Sequence, residues 1–224
     1  MSLEPVTRGP KTPGGHDSSA SENRRGLSAG ETVRPATTRA SAIRERYTTV
    51  AIALHWLVAA LIVGGFTLGL SMVELPLSRE KLQWYAWHKW IGITVFLLSC
   101  ARLAWRWRHA PPPPPPTMPD WQVRAAAFSH GLLYALLLII PLTGWLFSSA
   151  AGVQVVYLGL LPLPDLVPKD RALAALFRGC HVALNFTLLA LVCVHVAAAL
   201  KHHLVDRDSV LTRMLPASIS KQPD

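Results

Sequence analysis

Polar and apolar positions are gathered in separate blocks along the 224 residues of this chain. From Thr48 to Val73 there are 26 consecutive residues without a formal charge, more than the roughly 20 that a helix needs to cross a ~30 Å hydrocarbon core. This predicts a first membrane span over 48–73. A second apolar block, 83–107, is interrupted by Lys89, Arg102 and Arg106, each near an end where a long side chain reaches the headgroups. It is read as a second span. The third, 125–150, carries Pro141 as a kink. Residues 152–168 are apolar too, but Gly159, Pro162, Pro164 and Pro168 break them up, which predicts an interfacial loop. A fourth span covers 173–200, charge-free from Gly179 onward. Between the second and third spans, the six prolines 111–116 predict a stiff extended spacer. The expected fold is all-α, an integral membrane four-helix bundle over 47–216, because short connections make sequence neighbours antiparallel. Residues 1–46, rich in Ser, Thr, Gly and charge, read as a disordered tail, and 217–224 as a short C-terminal one.

Composition sharpens this picture. With 51% hydrophobic and 16% charged residues, neither an ordinary soluble domain nor a wholly disordered chain is compatible. Of the 22 Lys and Arg, 16 fall in the tail, after the second span and after the fourth, whereas six fall on the opposite side. The positive-inside rule then places both termini in the cytoplasm, and the expected location is the inner (plasma) membrane. The same asymmetry accounts for the net charge of +9 without nucleic acid, for which no binding motif is present. A secretory signal is not expected, since no apolar h-region precedes residue 46. The Arg and Ser content of the tail suits a transit peptide, but its five acids argue against one. The three cysteines form no CxxC or CxxCH, which excludes a disulfide framework, structural zinc and covalently attached c-type haem.

Five of nine histidines fall inside the spans: His55, His88, His130, His181 and His195. Ionisable residues at membrane depth are costly and point to function. His181 and His195 are 14 residues apart, about 1400° of rotation and ~21 Å of rise, so they share a face at two levels. Depth along the helices pairs His55 with His195 and His88 with His181. Hard cations demand oxygen ligands and zinc usually four N or S donors. Haem iron needs two axial ligands because the porphyrin supplies four nitrogens. Two non-covalent b haems, stacked across the membrane, fit this pattern best. Gly69 and Gly92 lie where a macrocycle would press on a backbone, although glycines are also common at membrane helix contacts.

These residues resemble the bacterial cytochrome b561 family, of the same superfamily as the cytochrome b subunits of nickel hydrogenases. The resemblance covers roughly 46–216 and rests on Leu54-His55-Trp56-Leu57-Val58, His88 with Gly92 and Arg102, and His130 with Tyr134, Pro141 and Gly144. His181 and His195 at their spacing of 14, and the stretch from Ala198-Ala199-Leu200-Lys201-His202-His203 to Leu215-Pro216, complete it. It implies a four-helix membrane protein with two bis-histidine b haems, ligated by His55, His88, His181 and His195 and exchanging electrons with ubiquinone or another quinone. Some family members resemble superoxide oxidases; others are conduits anchored to a dehydrogenase or hydrogenase.

The remaining polar residues divide by level. His130 shares the inner level, where three histidines cannot all ligate one haem; a hydrogen bond to a propionate or a core role suits it better. Arg102, 14 residues after His88, is placed to hold a propionate of the inner haem or to anchor the helix at the headgroups. His202 lies near the face of His195 and ~10 Å beyond it, where it would contact a quinone headgroup or a propionate, or be solvated. On the outer side Lys89 and Arg178 flank the ligands while the loops beyond balance to zero, a net +2 that steers an anion such as superoxide or neutralises propionates. The leading reading is an oxidoreductase carrying electrons from a small reductant, superoxide among the candidates, to membrane quinone. The second is an electron-conducting anchor subunit for a partner enzyme. A histidine-based metal or proton transporter ranks third, since no Asp or Glu lies inside a span.

Overall fold

The computed structural model describes residues 46–216; apart from Arg46, the expected tails lie outside them. Four long helices follow one another: α1 (Thr49–Glu74), α2 (Arg79–Arg108), α3 (Asp120–Ala150) and α4 (Arg171–Lys201). Their starts are chemically marked. Thr48, Ser78 and Asp170 each accept a hydrogen bond from the backbone N–H three residues on, satisfying a donor that the first helical turn leaves free. Pro141 is accommodated within α3. After α4 the chain makes one π-helical turn, His202–Asp206, stopped by Arg207 at φ 52°, and then a 3-10 turn, Thr212–Met214.

Neighbouring helices pack in the order α1, α2, α3, α4, with α1 and α4 staying apart along most of their length. Val58, Val95, Leu136, Leu137, Ile140 and Leu188 form the buried core, contributed by all four helices between the two histidine levels. Large apolar side chains such as Val63, Leu97, Phe128 and Leu176 are exposed on the outside of the bundle, where lipid rather than water makes them stable. Among the described residues, three helices are long and apolar enough to cross a membrane: α1, α3, and α4 with its π turn. The second expected span, α2, falls short of that apolarity. Seven of its 30 residues are charged, and all but Lys89 lie within seven residues of an end. It therefore crosses with its polar ends at the surfaces and its flanks covered by α1 and α3.

Both ends of the bundle are strapped by side chains. At the end holding the α1–α2 turn, called outer below, Lys81 Nζ donates to the carbonyls of Val73 and Leu75. The expected loop 152–168 is present there, with a small hairpin (β1 Val156–Tyr157, β2 Leu161–Pro162) that turns through Leu158 and Gly159 at φ 53° and 73°. Trp90 Nε1 donates to Val156 O at 2.8 Å and Trp145 Nε1 to Pro164 O at 3.0 Å. At the inner end Trp56 Nε1 donates to Met214 O, Arg46 to Leu215 O, and Arg213 to Pro113 O of the proline segment. Tryptophans with a polar tip and an apolar body suit both boundaries.

Candidate metal centres

At the outer level His88 of α2 and His181 of α4 face each other with ring centres 6.1 Å apart and planes at 85°. At the inner level His55 of α1 and His195 of α4 are 6.3 Å apart at 70°. Two imidazoles that ligate one metal from opposite sides, each nitrogen about 2 Å from it, have ring centres about 6 Å apart. Both sequence-predicted pairs therefore have the required spacing. His130 of α3 also approaches His195, at 5.4 Å, closer than opposed ligation of a common metal demands.

The outer pair is held in one tautomer. His88 Nδ1 lies 2.9 Å from Gly65 O, and His181 Nδ1 lies 3.0 Å from Ile140 O. A carbonyl can only accept, so Nδ1 carries the hydrogen on both rings and Nε2 keeps its lone pair for a metal. Thr143 Oγ1 donates to the same Ile140 carbonyl and sits 3.1 Å from His181 Nδ1. Two glycines make room for these rings. A Cβ at Gly69 would stand 3.2 Å from His88 Cε1, and one at Gly144 3.0 Å from His181 Cε1. Gly69 thus makes room for the His88 ring. A Cβ at Gly92 would meet nothing within 4 Å.

A cavity of about 470 Å³ opens beside the outer pair, between α1, α2 and α4. Its walls are largely apolar, with Phe66, Leu70, Val182 and Phe186 among them. A smaller space, about 70 Å³, continues against the same two histidines toward the core. Among the described residues, the only three potential ligands close enough to share a bare ion are His202, Asp206 and Asp208. Among the described residues no third histidine, cysteine or carboxylate closes on either membrane pair at ligating distance, His130 included, so they suit a metal that arrives with its other ligands in a flat apolar frame. The residues present fit haem.

The other predicted residues are placed as follows. Arg102 stands over the Tyr134 ring, 5.3 Å from its centre, joining α2 to α3. One turn earlier the Ser99 hydroxyl is buried without a hydrogen-bond partner, a polar group that the apolar pattern of the second span concealed. His202 is nearly buried, its Nδ1 2.6 Å from Asp208 Oδ2 and 3.2 Å from Asp206 Oδ2. Lys201 Nζ occupies Asp206 as well, at 2.6 Å. Two carboxylates thus fix the His202 ring, and Nε2 is the nitrogen left to face elsewhere.

Comparison with known proteins decides the family. A model described as prokaryotic cytochrome b561 matches residues 46–217. The chain belongs to the prokaryotic cytochrome b561 family. Cytochrome b561 homolog 2 of Escherichia coli is 36% identical over 180 residues, 79% of this chain and 94% of that protein. Homolog 1 of the same organism is 30% identical, over 76% and 97%. A probable superoxide oxidase, CybB, of Yersinia pestis is 27% identical, over 78% and 98%. As a cytochrome b561 the chain is a multi-pass membrane b-type cytochrome, and b-type haem is the group its family binds. What the sequence did not disclose in this cytochrome b561 is the support around the paired histidines. The Gly65 and Ile140 carbonyls leave no trace in residue type. Asp206 and Asp208, in contrast, are visible in the chain, four and six residues after His202, but lie beyond the span that the apolar pattern marks.

Proposed function

We propose that this cytochrome b561 holds two b haems, the outer by His88 and His181 and the inner by His55 and His195, and passes electrons from a small reductant outside to membrane quinone inside. The observation that carries this reading is the double histidine pairing at 6.1 and 6.3 Å. Bound haem supplies one-electron carriage at each level. The chain supplies the rest. The Gly65 and Ile140 carbonyls hold the proton on Nδ1 of the outer ligands. The core from Val58 to Leu188 keeps water from the region between the levels. At the inner end, His202 offers Nε2 to a quinone headgroup while Asp208 holds its other nitrogen. Quinone taking up two electrons needs two protons, and this end of α4 is where ionisable groups meet the inner surface. With superoxide as reductant the balance is two superoxide anions, one quinone and two protons giving two dioxygen and one quinol. Similarity to a probable superoxide oxidase supports that substrate.

Stopped-flow reduction of the purified protein by superoxide, and separately by quinol, tests the proposal. The expected result is rapid reduction by both, with His202→Ala slowing quinol at least tenfold and leaving superoxide unchanged. A protein that superoxide reduces no faster than an unrelated bis-histidine cytochrome is not an outer-face superoxide oxidase. The second reading, an electron-conducting anchor for a dehydrogenase or hydrogenase partner, would then replace it.

A further inference from the structure

Two outer cations, Lys89 and Arg178, are equivalent in the sequence, each next to or near a ligand histidine. The structure separates them. Arg178 lines the cavity beside the outer pair and Lys89 does not. Apart from the two histidines, the cavity wall has three polar side chains: Tyr85, Arg178 and Asn185. Asn185 lies four residues inward of His181, about 6 Å toward the core, and its amide already donates to His181 O at 2.7 Å. Tyr85 and Arg178 each lie three residues outward of a ligand, Tyr85 before His88 on α2 and Arg178 before His181 on α4. That offset is about 4.5 Å along each helix and keeps them on the ligand's own face. The wall's cation and its phenol are therefore both at its outer end, and the neutral amide of Asn185 is the polar group on the inward side.

Haem b is apolar except for two propionates on one edge, and burying an unpaired carboxylate in the apolar part of the cavity is strongly unfavourable. We propose that Arg178 and Tyr85 hold the outer haem's propionates, so that the carboxylate edge points to the outer surface between α2 and α4. The inference rests on the haem ligation proposed above. A guanidinium matches a carboxylate in a paired, charge-assisted hydrogen bond, and a phenol adds a single donor. With its charge matched in this way, Arg178 is not a free guide for anions, and any steering of superoxide falls to Lys89. Arg178 and Tyr85 are cofactor-positioning residues on this account.

The test uses holoprotein carrying haem labelled with carbon-13 at both propionate carboxyls, and records redox-difference infrared spectra together with the midpoint potential of each haem. In Arg178→Gln the label-sensitive carboxylate bands should shift and the outer haem's potential should fall, because a positive charge that favours the reduced form is gone. The inner haem's potential should stay. Arg178→Lys should keep most of the potential while still shifting the bands, and it covers the case in which the Gln variant does not assemble. Lys89→Gln should leave the labelled bands unchanged. Two haems per chain with identical labelled bands in wild type, Arg178→Gln and Arg178→Lys would overturn the propionate assignment alone. Wild type lacking an outer haem would overturn the ligation beneath it as well.

Discussion

His195 touches two other imidazoles, and the contacts are unequal: 6.3 Å to His55 suits ligation from opposite sides, and 5.4 Å to His130 does not. His55→Ala and His195→Ala should each remove the inner haem, His88→Ala and His181→Ala the outer, and His130→Ala neither, as read by haem content and reduced-minus-oxidised spectra. Loss of the inner haem in His130→Ala with retention in His55→Ala would reassign the ligand. Glycine supplies a second prediction at this scale. An added Cβ at Gly144 comes within 3.0 Å of His181, whose ring cannot retreat without losing Ile140 O. Gly144→Ala should therefore lose at least about half of the outer haem. Gly131→Ala, with open space around its Cβ, should keep both haems, and its helix should gain up to about 1 kcal/mol. The pairing of the four histidines was legible from the sequence because helical period and depth are arithmetic. The ring supports were not, since backbone carbonyls from α1 and α3 supply them and every residue has one.

The helices themselves were visible as charge-free blocks, with α2 the instructive exception. Its pattern is interrupted at Lys89, Arg102 and Arg106, and contact with α1 and α3 sustains it where apolarity does not. The fourth helix continues beyond its last regular turn, through the π turn that sets Asp206 and Asp208 against His202. The C-terminal 3-10 turn is then tied back by Trp56, Arg46 and Arg213, long-range contacts that no local pattern encodes. The neutral Trp56 bond contributes about 1 kcal/mol, and the guanidinium bonds somewhat more. Combining Trp56→Phe with Arg213→Gln should raise amide hydrogen exchange over 211–215 at least about fivefold with little change over 58–62 in the core. Equal protection in the variant would show that the strap is held by other contacts.

For the molecule as a whole, four helices in sequence return the chain to the side it started from, and the excess of Lys and Arg at that end makes it the cytoplasmic side. A reporter fused after Asp224 should accordingly be active only in its cytoplasmic form. If Lys89 alone guides superoxide, Lys89→Gln should slow that reaction at 0.1 M salt, where the Debye length is ~10 Å. At 1 M, where it is ~3 Å, the two proteins should react alike. The proposed direction of electron flow, quinone contact and anion guidance all depend on a cofactor at each histidine level. The measurement that tests this most directly is the haem-to-protein ratio of the purified chain, from extracted haem and amino-acid analysis, with the reduced spectrum of the same sample. The account predicts two non-covalent b haems per chain, both low-spin; one haem per chain, or none, would contradict it.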